Sequence, residues 1–302
     1  METHVQLNPA WPTGPIASKQ QVLDGITGFV EYWDFSLANT SYESRVYFIS
    51  KVASICYQSP KSLGSISLFN RLQAESHGLP SSSYEFIPVL LYKDKVMGII
   101  FNQEYKCNTD MPIVKYGTWV NDGEYLLTNL RALMEMVGPD ESLNYLNTDP
   151  AELQIIRDNF KVFLFNVDLS TRAQMVRHRI NWQELSRRYV SGKKSPFSFY
   201  VSNKMSNVIS NFNFTNADNH SFSLDYTTQN LIDACVNHYN AAIESGVKPE
   251  EARRILPQAM MTQIWGAFQP NQLSSYFALR LDSHAQKEIR MVSEAMQELI
   301  NV

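Results

Sequence analysis

Cysteine is scarce in this chain. The 302 residues hold three, Cys56, Cys107 and Cys235, far apart and odd in number, and none forms a C-x-x-C pair. That spacing excludes a disulfide framework and a thiolate zinc site, and it fits a reducing compartment. Long apolar runs are also missing. No stretch approaches the roughly 20 residues that cross a bilayer, and the opening METHVQLNPAWPTGP lacks a basic region followed by an apolar one. A soluble, cytoplasmic protein is expected, with no membrane partner. An excess of positive charge is absent too: 26 Lys and Arg face 30 Asp and Glu, for a formal net charge of −4. No general basic field exists to gather nucleic acid, so any local basic cluster needs a local explanation.

What the chain has is an ordinary globular balance, 44% hydrophobic and 19% charged, which rules out wholesale disorder. Its length suits one large domain or two ordinary ones. Residues 1–20, rich in Pro, Thr and Asn and without period, read as an extended arm. From Tyr42 to Tyr57, the positions Val46, Phe48, Ile49, Val52, Ala53 and Cys56 recur at helical spacing. A second helix is expected over residues 63–76, stopped by Gly78 and Pro80.

Residues 85–101, EFIPVLLYKDKVMGIIF, read as a hairpin about a polar YKDK turn, and residues 124–137, EYLLTNLRALMEMV, as a strand passing into a helix. The aromatic and β-branched stretch 159–169 predicts a strand, with Ser170 capping a helix that runs through Arg179. The Asn/Ser-rich stretch 203–226 reads as loop. Beyond it, LIDACVNHYNAAIESG predicts a helix stopped by Gly246, and Pro249 opens the next, where Glu250 and Glu251 complement the helix dipole. Met260, Met261 and Trp265 read as core strand. Ser283 and Gln286 form a capping-box pattern ahead of Ala285, Ile289, Val292, Met296 and Leu299 on one helical face. His284 and His238 read as structural histidines, and no metal site is expected.

The chemistry-bearing stretch is VRHRINWQELSRRYV, residues 176–190. Arg177 and Arg179 flank His178, Arg187 and Arg188 follow, and Gln174, Gln183, Glu184 and Ser186 lie among them. Guanidinium forks bind phosphate bidentately, while Gln, Glu and Ser supply the directional hydrogen bonds that a base or sugar edge needs. A solvated helix face is the plainer reading of such a cluster. Here, however, it follows an apolar strand and adjoins Trp182 and Tyr189, and cations tethered near a core need anionic partners. A phosphorylated ligand would supply them.

RHRINWQELSRRYV resembles the R-H-R…E-x-S-x-R-Y signature of flavin-dependent thymidylate synthases. ARRILP at 252–257 and LRLDSHAQKEIR at 279–290 resemble that family's later blocks, CYQS at 56–59 its N-terminal block, and His77 the histidine of another. The resemblance spans about Tyr42 to Leu299 and is weak over 87–158 and 203–230. It implies an α/β (α+β) fold with a central, mostly antiparallel sheet flanked by helices, one domain carrying an insertion (87–158) with a hairpin and a helix. It also implies a homotetramer with active sites at subunit interfaces, FAD as cofactor, NADPH as reductant, methylenetetrahydrofolate as carbon donor and dUMP as the substrate methylated to dTMP.

By matching positions, the resemblance assigns Gln174, Glu184, Ser186, Arg187, Arg188, Arg253 and Arg280 to dUMP. Arg188 and Arg253 would take its phosphate, and Arg280 would act catalytically by stabilising the polarised pyrimidine. Arg177, His178, Arg179 and Ile180 would line the flavin, Glu184 would touch both ligands, and His77 would lie near flavin or folate. Ser186 is assigned to binding, since no general base stands at a supporting spacing. The family commonly carries an Asn-x-Arg flavin clamp where this chain reads Gln269-Pro270-Asn271, and an asparagine matched here by Ser275. Asn129 and Arg131, in Thr128-Asn129-Leu130-Arg131, form a substitute clamp candidate inside the insertion; an arginine on an exposed helix face is the alternative. Two other readings stay open: folate-dependent hydroxymethylation of a pyrimidine nucleotide, and a nucleotide-binding protein without catalysis.

Overall fold

A computed structural model describes residues 18–23, 28–74, 78–102, 111–216 and 219–301. His77 and most of the expected N-terminal arm lie outside the described residues. In chain order come β1 (Ser18–Leu23), β2 (Gly28–Trp33), α1 (Tyr42–Tyr57), α2 (Ile66–Leu72), β3 (Pro88–Tyr92), α3 (Lys93–Asn102), α4 (Pro112–Lys115), β4 (Thr118–Val120), β5 (Tyr125–Asn129), α5 (Leu130–Val137), α6 (Pro139–Ser142) and α7 (Pro150–Asn159). Then follow β6 (Lys161–Asp168), α8 (Leu169–Met175), β7 (Asn181–Glu184), α9 (Asn203–Ser206), β8 (Ile209–Thr215), β9 (Ser221–Thr227), α10 (Thr228–Glu244), α11 (Pro249–Ala252), β10 (Met261–Phe268), α12 (Pro270–Arg280) and α13 (Lys287–Ile300).

The main sheet has the order β1-β2-β6-β10-β7 and every pairing is antiparallel, as the resemblance implied. Its central strands are apolar on both faces. Val162, Leu164, Trp265 and Ala267 enter one core with α1, α5 and the small sheet β3-β5-β4, whereas Phe163, Phe165, Val167, Ile264 and Phe268 enter a second core with α12 and α13. Side chains alternate across a strand, so a sheet covered by helices on both sides needs a near-continuous hydrophobic run, which β6 and β10 supply. On α13, Ile289, Val292, Met296 and Leu299 are buried as their helical spacing predicted, and Met260, Met261 and Trp265 are core.

Several elements differ from expectation. The 85–101 stretch is no hairpin: β3 pairs with β5, and residues 93–102 form α3, which buries Val96 and Ile99 three positions apart and exposes Met97 and Phe101. A short apolar run serves either period, and tertiary contact chose the helix. The second helix is shorter than expected, beginning at Ile66 under the cap of Ser65. The stretch 203–226 is α9 and the antiparallel pair β8–β9, whose register opposes Phe212 to Leu224 and Ser210 to Tyr226; Asn and Ser content hid that period of two. α8 is capped by Asp168, not Ser170, and stops at Met175, so Arg177, His178 and Arg179 lie on a turn. The Ser283–Gln286 box does not form, because α13 begins at Lys287 and the Gln286 amide accepts from Gln174 instead. Among the described residues, no helix is long and apolar enough to cross a membrane.

Gly266 shows how closely β10 meets β7. A Cβ built there falls 2.5 Å from the Trp182 ring and 3.0 Å from Phe268. Gly266→Ala is therefore expected to displace Trp182 and destabilise the protein by about 1–3 kcal/mol, the usual cost of overpacking. Thermal unfolding followed by tryptophan fluorescence would check this; an unchanged midpoint and spectrum would show that the ring has room.

Candidate functional site

The middle of the arginine-rich stretch lies on β7, held against β10 with Glu184 opposite Ile264. The C-terminal end of α1 buttresses it from another side. Gln183 donates to Cys56 Sγ (2.7 Å), Cys56 Sγ donates to the Glu184 carbonyl (3.1 Å), and the Ser186 N–H donates to the Cys56 carbonyl (3.2 Å). Gln58, in the left-handed region at φ 47°, donates to Gln263 on β10 (3.4 Å). CYQS and the arginine stretch, remote in sequence, thus form one structural unit.

Glu184 is bound at both oxygens. Arg172 on α8 donates to Oε2 through Nε (2.9 Å) and also through Nη2, and Thr262 donates to Oε1 (3.2 Å). Neither partner was found by sequence reasoning. Arg172 sits twelve positions before Glu184 and Thr262 on another strand, so no local spacing marks them.

Gln174 and Arg280, expected on the nucleotide, meet His178, expected on the flavin. Arg280 Nε donates to His178 Nε2 (2.9 Å), and Nη2 donates to the Gln174 carbonyl (2.9 Å). Nε2 accepts only if it carries no proton, so the imidazole is neutral with its proton on Nδ1. Burial pushes the His178 pKa down, and the Arg280 charge adds to the effect. The imidazole also packs on the buried Tyr276 ring at 4.8 Å.

Beside this junction is a cavity of about 190 Å³ lined by His178, Arg179, Ile180, Asn271, Gln272 and Ser275. Its lining holds no carboxylate. Gln272 ties the two walls by donating to the Arg179 carbonyl (2.9 Å). Arg177 is exposed next to it and does not line it.

Other predicted flavin residues are committed elsewhere. Gln269 is buried, closes a reciprocal cap with Gln272 at the start of α12, and donates to the Tyr116 carbonyl (2.7 Å). Asn129 is buried as the cap of α5, accepting from Ala132 N–H (3.0 Å). Arg131 is paired with Glu85 and Glu135. None of these three lines the cavity, so the substitute clamp expected at Asn129 and Arg131 is instead a helix cap and a double ion pair.

The remaining arginines form a second group. Arg188 is exposed and pairs with Glu250 (2.9 Å), so Glu250 does more than face a helix dipole. Arg253 is exposed on the turn after α11. Arg187 behaves differently: it is 7% exposed, donates to the Ser195 (2.6 Å) and Pro196 (3.4 Å) carbonyls, and stacks on Phe197. Burial pushes its pKa down. The guanidinium expected on a nucleotide here stitches the 195–197 segment to the turn. Among the described residues, no group of three or more His, Cys, Asp or Glu converges to hold a metal ion.

Two outcomes follow from this geometry. A histidine whose folded pKa lies below its ordinary value of 6.5 adds stability that is present above pH 6.5 and lost as pH falls through the folded value. His178 should therefore titrate below 6.5 by NMR, and Arg280→Ala should move it back upward; an unmoved resonance would remove the coupling. Arg187→Ala leaves two carbonyls unpartnered and should cost about 1–3 kcal/mol. Thermal unfolding would check this; an unchanged midpoint would show that the two carbonyls find other partners.

Comparison with known proteins finds relatives for the C-terminal part of the chain. Residues 158–301, which hold the cavity and both arginine groups, match the family model described as thymidylate synthase complementing protein. The chain is 31% identical over 156 residues to the flavin-dependent thymidylate synthase of Aquifex aeolicus, covering 50% of this chain and 48% of that protein. The enzyme of the same name from Geobacter sulfurreducens is 31% identical over 142 residues, with 46% of this chain and 56% of the relative covered. That from Wolbachia pipientis is 30% identical over 179 residues, covering 55% and 60%. The chain thus spans about half the length of the curated relatives it matches. Residues 158–301, which carry the Arg280–His178–Gln174 junction, are thus similar to the family described as thymidylate synthase complementing protein.

Proposed function

We propose that this protein is an FAD-dependent thymidylate synthase that reductively methylates dUMP to dTMP. Methylenetetrahydrofolate would be the carbon donor and NADPH the reductant, in a cytoplasmic homotetramer. The observation that carries the reading is the bonded junction of Arg280, His178 and Gln174 beside a carboxylate-free cavity.

The donor set suits a flavin. Asn271, Gln272 and Ser275 offer neutral polar groups to a heterocycle edge, and among the described residues Arg177 and Arg179 have no ion-pair partner and are available to phosphate. A bound flavin supplies the hydride. The chain's own residues bind and polarise. Arg280 is fixed by two bonds before any substrate arrives, so its charge need not reorganise when the pyrimidine ring becomes electron-rich. His178 is held neutral, which keeps a second full positive charge from competing with Arg280 for that ring. Glu184, anchored by Arg172 and Thr262, would accept from a sugar hydroxyl. Arg188 and Arg253 would take the phosphate, with Arg188 exchanging the exposed Glu250 carboxylate for it. Gln174 and Arg280 lie on α8 and α12, whereas Arg188 and Arg253 lie beside α11. That separation within one chain supports sites completed by a second subunit.

The test is anaerobic reduction of the FAD-loaded protein by NADPH, with and without dUMP, followed by product analysis after adding methylenetetrahydrofolate. Faster flavin reduction with dUMP and formation of dTMP are expected, and Arg280→Ala should lower kcat about 100- to 1,000-fold. A hydroxymethylated nucleotide formed without reductant would replace this reading with a transferase that needs no redox step. Tight dUMP binding without any product would leave a non-catalytic binding protein.

A further inference from the structure

One face of α12 grips the arginine-bearing turn at three places. Gln272, Tyr276 and Arg280 recur every four residues, so their side chains line one side of the helix. Gln272 donates to the Arg179 carbonyl (2.9 Å), the Tyr276 ring lies 4.8 Å from the His178 imidazole, and Arg280 Nε donates to His178 Nε2 (2.9 Å). The helix is a fixed reference for these contacts. At its start Thr118 donates to Gln269 and to Asn271 (3.2 Å to Asn271), and the Gln269 amide donates to the Tyr116 carbonyl. Further along, Tyr276 is fully buried against Phe268, with ring centroids 5.5 Å apart.

His178 needs such a reference. Its backbone is held, because the Ile180 N–H (2.9 Å) and the Trp182 indole (3.2 Å) both donate to its carbonyl. Its ring is bonded at Nε2 alone among the described residues, and the χ2 torsion of histidine is broad and roughly two-fold. A bond to one ring atom leaves the plane of the imidazole, and the choice between its two nitrogens, weakly defined. Packing against the buried Tyr276 ring, tilted at 58°, supplies the missing constraint. The ring and not the hydroxyl makes this contact: the Tyr276 oxygen, though near Ser293, is buried without a hydrogen-bond partner.

Arg280 depends on that plane in turn. Its bonds to His178 and to the Gln174 carbonyl commit Nε and Nη2 and leave the Nη1 hydrogens for a ligand. The guanidinium is planar and its fork rigid, so the direction of Nε–H fixes the direction of Nη1.

We propose that Tyr276 is a positioning residue: its ring sets the plane of the His178 imidazole and, through the Nε2 bond, aims the Arg280 guanidinium. The inference rests on the reading of Arg280 as the group that polarises the pyrimidine, and it names what holds that group in place.

The test compares Tyr276→Phe and Tyr276→Leu in the full-length protein, first by nitrogen NMR of the His178 imidazole with no ligand added. Wild type and Tyr276→Phe should show one neutral tautomer with its proton on Nδ1, and Tyr276→Leu a mixture of both. In the synthase assay Tyr276→Leu should lower kcat about tenfold or more with KM for dUMP within about twofold, and Tyr276→Phe should restore kcat to within about twofold of wild type. A leucine variant that keeps the wild-type tautomer and kcat overturns the proposal, and so does a phenylalanine variant that loses both, because the ring would then not suffice. Should Tyr276→Leu fail to fold, the wild-type spectrum decides: carbon-bound His178 protons without a ring-current shift, or an imidazole exchanging between tautomers, overturn the role. Wild-type protein that makes no dTMP overturns the synthase reading, and the tautomer comparison on the resting protein still decides the role of Tyr276.

Discussion

The pairing of β10 between β6 and β7 is the constraint on which the rest depends. It runs antiparallel to both neighbours and is apolar on both faces, so it belongs to two cores at once. Through that position it fixes the edge strand β7, and with it Glu184, whose carboxylate meets Thr262 from the start of the same β10. At its other end β10 passes through Gln269 into α12, which carries Arg280 to His178. Site residues scattered over more than a hundred positions are therefore referred to one strand.

The electrostatics follow from that frame. Glu184 is half-buried but paired, and His178 is half-buried but neutral, so neither leaves an uncompensated charge where desolvation would be costly. Arg187 is the exception among the cations. It is buried without a carboxylate, and backbone carbonyls and an aromatic face take the place of one. Its neighbour Arg188 is exposed and paired with the Glu250 carboxylate. Two adjacent arginines of one motif thus divide into a buried structural stitch and an exposed ion pair, a division set by which side of the turn each faces.

The Asn-x-Arg expected as a substitute clamp is engaged within its own part of the fold. Asn129 caps a helix and Arg131 satisfies two carboxylates, each an ordinary local demand on those side chains. Contact with the α12 entry comes instead from Tyr116 and Thr118, through backbone and hydroxyl groups that no motif search would single out. The 85–101 and 203–226 stretches depart from their expected structure for a related reason. A short apolar run fits a strand or a helix equally well, and Asn/Ser-rich segments can pair when alternate positions are apolar; the neighbouring elements decided both.

Periodic and ordered features were determined by sequence alone. The α1 and α13 faces, the β6 and β10 runs, the Gly246 stop, and the order of the blocks around Gln174–Arg188, Arg253 and Arg280 all rest on local spacing, which the chain carries wherever it folds. Tertiary structure alone decided partnership: Arg172 and Thr262 on Glu184, Cys56 beneath β7, Gln269 on Tyr116, and the inward turn of Arg187. Those contacts join residues from separate elements. Their geometry is set by packing and by the need to satisfy each buried polar group, and neither quantity is written in the spacing of one segment.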